Sequence, residues 1–208
     1  MIAVIDYGMG NLRSVEKAFL KVGYDVRVTS RPEDVRKADG VVLPGVGAFR
    51  DCMKELSDLG MTDAVVKAII EGKPYLGICL GLQVLFSESE EFGRCRGLDI
   101  FRGRVVRFEL EDRALKIPQM GWNQVSLKRQ CPLFRDIPDN SYFYFVHSFY
   151  VAPDDEAVVA GTTEYGVPFT SAVWKDNIYA VQFHPEKSQA LGLRLLKNFG
   201  DIVDERKR

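Results

Sequence analysis

The chain has 208 residues, and its content of 46% hydrophobic and 27% charged residues is ordinary for a globular protein. Its 28 basic and 29 acidic residues nearly cancel, which argues against a nucleic-acid-binding protein, because such domains usually carry a basic excess. No apolar run approaches the roughly 20 residues of a membrane-spanning helix. The sequence also reaches Asp6 without the basic segment of a signal peptide. We therefore expect one cytoplasmic domain over residues 1–208 that binds neither nucleic acid nor membrane.

The first half of the chain alternates strand and helix patterns. Short apolar runs predict strands, and apolar residues spaced i, i+3, i+4, i+7 predict helices. The strands are expected at 2–6, 25–30, 40–45 and 75–78, and the helices at 14–23 and 62–72. Thr62 is the expected cap of the second helix, and Gly23 and Gly72 are suited to end the two helices. The alternation predicts a parallel sheet wrapped by helices.

The second half is rich in strand patterns joined by short polar turns, and it closes with an amphipathic helix at 188–203. Strands are expected at 103–110, 141–151, 157–163, 169–175 and 178–183. Two turns in the first half, GMGNLR at 8–13 and GVGAFR at 45–50, begin like a dinucleotide-binding loop. Both carry arginine where that motif requires its third glycine. They are therefore read as tight turns between strand and helix.

The segment PYLGICLGLQVLF at 74–86 places a cysteine between two glycines at the end of a predicted strand. The pattern Gly77-Ile-Cys79-Leu-Gly81 has the form of a nucleophile elbow, with sulfur replacing oxygen. Such a turn holds its nucleophile at the start of a helix, which favours the thiolate. It also aims the N–H of the next residue, Leu80, at a developing oxyanion. A buried, inert cysteine is the alternative, but the bracketing glycines favour a nucleophile. The other cysteines show no metal-like spacing, so they are expected to be free thiols.

A cysteine nucleophile needs a base, and the chain has two histidines. His184 and Glu186 are two residues apart at the end of an apolar strand, so both side chains point to the same side and can touch. His147 lies in an aromatic strand with no carboxylate two residues away. We expect His184 to be the base and His147 to be a hydrogen-bonded histidine of the core or of a pocket wall.

The motifs PGVGAF, GICLGLQ and HPE together resemble the class I, or triad, glutamine amidotransferases. The segments IDYGMGNLRSV, MGWNQV, YFYFVHSFY and GTTEYG narrow this resemblance to the glutaminase subunits of imidazole glycerol phosphate synthases, which serve histidine biosynthesis. The resemblance covers nearly the whole chain. It implies a flavodoxin-like α/β fold with a central mixed, mainly parallel sheet, helices on both faces and a smaller β region.

The resemblance also implies a chemistry that needs no cofactor or metal. Cys79 would attack the side-chain amide of glutamine, His184 would pass a proton to the leaving ammonia, and Glu186 would orient His184. Water would then hydrolyse the thioester. The implied oxyanion groups are Val46, Gly47 and Leu80, and the implied glutamine contacts are Gly45, Gln83, Glu91, Ser148 and Phe149.

By the same resemblance, the ammonia would pass to a (β/α)₈-barrel cyclase subunit in a heterodimer. The positions implied to face this partner are Met9, Asn11, Trp122, Tyr144 and Lys187. Two alternatives stay open at this point. The chain could be a triad glutaminase that feeds another ammonia-using synthase, or a non-catalytic sensor that uses the Cys79 thiol.

Overall fold

The computed structural model describes residues 1–112 and 114–206. Its helices are α1 Leu12–Lys21, α2 Pro32–Lys37, α3 Phe49–Asp58, α4 Met61–Ile70, α5 Leu80–Gln83 and α6 Gln189–Glu205. Its strands are β1 Ile2–Ile5, β2 Val26–Thr29, β3 Gly40–Gly45, β4 Tyr75–Cys79, β5 Phe86–Ser89, β6 Cys95–Arg96, β7 Phe101–Arg107, β8 Gln119–Leu127, β9 Ser141–His147, β10 Phe149–Pro153, β11 Val159–Glu164, β12 Pro168–Lys175 and β13 Ile178–Val181.

The strands form one mixed sheet with a parallel part and a largely antiparallel part. The order β2-β1-β3-β4-β13 is parallel throughout. The sheet then continues through β12, β10, β7, β5 and β6, and a branch of β11, β8 and β9 leaves it at β12. The strand β13 is thus the junction, since it pairs parallel with β4 and antiparallel with β12. Because the carboxyl ends of parallel strands meet at one edge, the loops after β1, β3, β4 and β13 lie together.

Helices cover both faces of the parallel part, because successive strand side chains point to opposite faces. Val4 belongs to the same apolar cluster as Phe19 of α1 and Phe199 of α6, and these two rings meet edge to face at 6.3 Å. Its neighbour Ile5 belongs to the opposite cluster, which includes Leu56 of α3 and further residues of α4. Strands buried on both faces need apolar residues at every position, which explains their unbroken hydrophobic sequences.

Several details differ from the sequence-based expectations. The helix α4 begins one residue earlier than predicted, with Gly60 as its N-cap, so Thr62 lies inside the first turn. The Thr62 hydroxyl is buried without a hydrogen-bond partner among the described residues, and the predicted cap is therefore wrong. The helices α2 and α3 were not predicted, and the expected strand at 141–151 is interrupted at Ser148. Within the described ranges, no helix is both long enough and apolar enough to cross a membrane.

Candidate active site

Three neighbouring strands deliver the predicted functional segments to one edge of the sheet. Cys79 ends β4 and lies in register with Gly45, the last residue of β3. On the other side, Ile78 is paired with Val181, so the residues that follow β13 lie beside Cys79. The predicted oxyanion loop, nucleophile and base therefore meet at adjacent strand ends, although they are far apart in the sequence.

The turn at Cys79 has the strained geometry of an elbow. Cys79 has φ 55° and ψ −106°, a conformation that non-glycine residues rarely adopt, and its side chain is buried. A Cβ at Gly77 would overlap the carbonyl group of Gly81, and a Cβ at Gly81 would overlap the carbonyl oxygen of Leu43. The bracketing glycines therefore let α5 pack directly on β3 and β4. The hydroxyl of Tyr75 donates to the Gly81 carbonyl at 2.9 Å and holds this short helix in place.

His184 and Glu186 form the contact that their spacing predicts. The ring Nδ1 of His184 lies 2.9 Å from Oε1 of Glu186, and both side chains are almost fully buried. The other ring nitrogen, Nε2, has no hydrogen-bond partner among the described residues. Burial by itself lowers the pKa of His184, but a Cys79 thiolate and the Glu186 carboxylate favour the imidazolium and raise the pKa above its ordinary value. The arrangement therefore favours a protonated His184 ring beside Cys79.

His147 is held in a different environment. Its Nδ1 lies 2.8 Å from the carbonyl oxygen of Phe149 and donates to it, and its Nε2 lies 2.9 Å from Oε1 of Gln119. In the neutral ring Nε2 is an acceptor, so the Gln119 amide must be turned to present its NH₂ there. Burial lowers its pKa to about 4, and the nearby His184 adds to this effect. His147 is thus a neutral, hydrogen-bonded ring on the wall of the cavity beside Cys79, as the sequence predicts.

A cavity of about 300 Å³ opens beside Cys79. This volume is at the small end of ligand pockets and suits an amino acid. Its walls include Val46, Gly47, Cys79, Leu80, Gln83, Glu91, Ser148 and Phe149, all of them predicted site residues. The remaining predicted site residues do not line the cavity. Gly45 is buried, and so are the side chains of His184 and Glu186.

Four predicted substrate contacts already make hydrogen bonds within the protein. One oxygen of Glu91 accepts a hydrogen bond of 2.7 Å from the backbone N–H of Phe49, the first residue of α3, and its other oxygen has no hydrogen-bond partner among the described residues. The carbonyl oxygen of Phe149 accepts from Gln83 at 3.0 Å and faces the ring of His147. The Ser148 carbonyl accepts from Phe108. The Phe149 carbonyl thus has both acceptor positions occupied, so a ligand would have to use the N–H of Phe149, whereas the Ser148 carbonyl can still accept a second hydrogen bond.

One buried polar residue of the site escaped the sequence analysis. Gln182 lies between β13 and His184 and is completely buried. Its amide nitrogen approaches the sulfur of Cys79 at 3.6 Å, and its amide oxygen accepts from Gln83 at 3.1 Å. The only signal in the sequence is its position two residues before His184, which places both on one side of an extended segment.

Most of the predicted partner-facing residues are brought together. Trp122 and Tyr144 are directly opposite each other on β8 and β9, with ring centroids 6.1 Å apart, and the Lys187 ammonium lies 5.7 Å from the Tyr144 ring. Met9 lies in the turn after β1, where its sulfur approaches Gly47. Asn11, in the same turn, is the N-cap residue of α1 but makes no side-chain capping bond.

The remaining cysteines offer a contrast with Cys79. Burial raises the pKa of the Cys52 and Cys131 thiols to about 12, so both stay protonated near neutral pH. No cysteine forms a disulfide within the part of the chain that the structure describes. The described residues also contain no group of His, Cys, Asp and Glu that could hold a metal ion.

Comparisons with known proteins agree with this geometry. Residues 3–202 match the family model of glutamine amidotransferase class-I. The chain is 57% identical to imidazole glycerol phosphate synthase subunit HisH of Syntrophotalea carbinolica, over 97% of this chain and 100% of that protein. It is 55% identical to the subunit of the same name from Geobacter sulfurreducens, over 97% and 98% of the two chains. The crystal structure of a glutamine amidotransferase superposes with a TM-score of 0.76 at 18% identity, covering 98% of this chain and 100% of the other. This likeness confirms the predicted fold class.

Proposed function

The chain belongs to the glutamine amidotransferase class-I family, and from this premise we propose that it is the glutaminase subunit of an imidazole glycerol phosphate synthase. It hydrolyses glutamine to glutamate and ammonia and passes the ammonia to a cyclase subunit. The observation that carries the proposal is the position of Cys79, at a strained elbow beside the buried His184–Glu186 pair and on the wall of a cavity sized for an amino acid.

The reaction follows from this arrangement. The Cys79 thiolate adds to the side-chain carbonyl carbon of glutamine, and the N–H of Leu80 and the loop at Val46 and Gly47 stabilise the oxyanion. The His184 imidazolium gives its proton to the departing nitrogen, so that ammonia leaves and a thioester remains. His184, now neutral, takes a proton from water as the water attacks the thioester. Glu186 holds the ring in the tautomer that both steps require.

The cavity is suited to the free amino acid. Glu91 contributes a carboxylate to its wall, and none of the lining residues is lysine or arginine. The unpaired oxygen of Glu91 therefore attracts the α-ammonium group of glutamine, while Gln83 fixes the far wall through its bond to Phe149. Gly45 leaves room at the base of the elbow, because a Cβ there would overlap Leu80.

An exposed aromatic patch supports a protein partner. We define the patch as Met120, Trp122, Tyr142, Tyr144 and Lys187. Met120, Trp122 and Tyr142 are 65%, 45% and 53% exposed, which is unusual for such large apolar side chains. Aromatic residues and methionine are enriched at interfaces, where aromatic residues often contribute most of the binding energy. The backbone carbonyl of Tyr144 accepts a hydrogen bond from the N–H of His184, and the Met9 sulfur approaches Gly47. A cyclase bound at the patch would therefore lie close to the site that releases ammonia.

The test is steady-state glutamine hydrolysis under four conditions: the chain alone, with a cyclase subunit, with the cyclase's nucleotide-like ligand, and with both. We expect little hydrolysis by the chain alone and a rise in kcat of about 100-fold with both, the effect of one added oxyanion donor. The flexible Gly45–Gly47 backbone would supply that donor by a peptide flip. The chain could instead hydrolyse glutamine but neither bind the cyclase nor be stimulated by it. That result would favour the alternative that the chain is the glutaminase of another ammonia-using synthase.

A matched pair of variants separates docking from folding. Trp122→Ala should weaken cyclase binding by at least about tenfold, as removal of an interface anchor usually does. Ile70→Ala removes another exposed apolar side chain, 77% exposed at the end of α4. The neighbouring Ile69 carbonyl accepts from Asn177, just before β13 begins, so this position lies at the end of the strands away from Cys79. This control should bind the cyclase like the wild type in isothermal titration calorimetry. Equal affinities of both variants and the wild type would contradict the assigned interface.

A further inference from the structure

The described residues contain a chain of buried amides that ends on the sulfur of Cys79. The side-chain nitrogen of Gln83 donates to the backbone carbonyl of Phe149 at 3.0 Å and to the side-chain oxygen of Gln182 at 3.1 Å. The side-chain nitrogen of Gln182 in turn lies 3.6 Å from Cys79 Sγ. Both glutamines are buried, Gln182 completely.

The direction of this chain is fixed by its backbone end. A backbone carbonyl can only accept, so the group of Gln83 that faces Phe149 must be its NH₂. The same NH₂ faces Gln182, which must therefore present its oxygen there. The NH₂ group of Gln182 therefore points at the sulfur of Cys79. A rotated amide at either glutamine would bring two like groups together in a buried site.

We propose that Gln182 is a fourth catalytic residue, whose amide N–H donates to Cys79 Sγ and stabilises the sulfur as a thiolate. The proposal rests on the proposed role of Cys79 as nucleophile. Gln182 is then the hydrogen-bond donor to the sulfur, and the negative charge of the sulfur also contributes to the raised pKa of the nearby His184 ring. Hydrogen bonds to a charged acceptor are stronger than those between neutral groups.

The N–H of Gln182 acts at two stages of the reaction. Before attack it increases the fraction of thiolate. In deacylation, water oxygen adds to the thioester carbonyl carbon while His184 takes the water proton. The C–S bond then breaks, and its electron pair returns to Sγ, where the Gln182 N–H again donates. The same contact therefore favours both the attacking and the leaving form of the sulfur.

The variant Gln182→Met tests the contact, because methionine has similar length and flexibility but no donor. The rate of Cys79 alkylation by iodoacetamide is measured between pH 5 and pH 10 by mass spectrometry of the Cys79 peptide. We expect alkylation at pH 7 to be about tenfold slower than in the wild type, the contribution of one hydrogen bond to a charged group. At the high-pH end, where Cys79 is ionised in both proteins, both should reach the same rate. The curve of alkylation rate against pH should therefore shift toward higher pH in Gln182→Met, while its maximal rate stays the same.

Two further variants keep the result interpretable. Gln182→Glu keeps the shape of the side chain and places a second oxygen near Sγ, so its profile should be displaced further than that of Gln182→Met. Asn198→Leu removes another buried amide, which donates to the carbonyls of Leu133 and Arg135 in a different part of the molecule. This control should lower the melting temperature and leave the alkylation profile of Cys79 unchanged.

The outcomes separate this inference from the proposed function. If the wild type hydrolyses glutamine with the cyclase and the profiles of wild type and Gln182→Met coincide, the role of Gln182 is overturned and the proposed function stands. A Gln182→Met rate that is lower by one constant factor at every pH also overturns it, because a purely structural role has that result. If the wild type hydrolyses no glutamine in any condition, the proposed function itself fails.

Discussion

Replacing His147 with glutamine should make the stability of the protein less sensitive to acid. His147 is buried as a neutral ring between the Phe149 carbonyl and the Gln119 amide. Burial, with a smaller contribution from the charge of His184, lowers its pKa from 6.5 to about 4. A histidine with a lowered pKa stabilises the fold fully above pH 6.5. That contribution is lost as the pH falls through 6.5 toward 4, because the unfolded chain takes up the proton first.

The size of the effect follows from the difference between the two pKa values. At 1.36 kcal/mol for each pH unit, full protonation costs about 3 kcal/mol, and about 2 kcal/mol of this is already lost between pH 7 and pH 5. Glutamine offers a donor and an acceptor to the same two neighbours but does not titrate in this range. The loss of free energy of unfolding that His147 causes in acid should therefore be absent in His147→Gln.

Urea denaturation of both proteins at pH 7, 6 and 5 measures this loss. Between pH 7 and pH 5, the wild type should lose about 2 kcal/mol more of its free energy of unfolding than His147→Gln. Because both proteins are compared at the same pH, the titration of other groups cancels. Parallel curves for the two proteins would refute the assignment of a neutral, buried His147.

Three further predictions concern the elbow and the base. Cys79→Ser should melt like the wild type and hydrolyse no glutamine. A glutamine-mimicking diazoketone should label the wild type at Cys79, as mass spectrometry of its peptides would show. Labelling mainly at another cysteine would contradict the assignment. His184→Asn should lower kcat by at least about 100-fold, the usual contribution of general acid–base catalysis, and near-normal turnover would exclude it as the base. Tyr75→Phe should lower the free energy of unfolding by about 1–3 kcal/mol in urea, since it leaves the buried Gly81 carbonyl unpaired. An unchanged midpoint would show that this bond contributes little.

The sequence predicted the parts of the fold that depend on local pattern. The strand at 40–45 has the predicted bounds, and the apolar run before Cys79 is β4. The contact of His184 with Glu186 was also predictable, because it needs only the alternation of side chains along an extended segment. The helices α2 and α3 were missed, since both carry many charged residues and α2 is also short. The error at Thr62 arose because a residue of the right type for a cap lies one position inside a helix that begins at a left-handed glycine.

The part of the site that could not be predicted depends on which strands are neighbours. Gln182 approaches Cys79 only because β13 pairs with β4, and no local pattern specifies that pairing. Gln83 stays a predicted substrate contact on the cavity wall, and the sequence could not show that its amide nitrogen also bonds to Phe149 and Gln182. Met120 and Tyr142 were missed for a related reason. Their exposure becomes visible only when β8 and β9 form a branch away from the helix-covered part of the sheet.

The position of β13 has a consequence for the protein during its synthesis. Cys79 leaves the ribosome early, and the residue that touches its sulfur follows 103 positions later. Until β13 has been made and inserted beside β4, the nascent chain has neither His184 nor Gln182 next to that thiol. The cysteine of an incomplete chain is therefore an ordinary thiol, without an imidazole to activate it. Newly made protein should thus release no ammonia before its last strand is in place, and a ribosome stalled before this strand should hold an inactive chain.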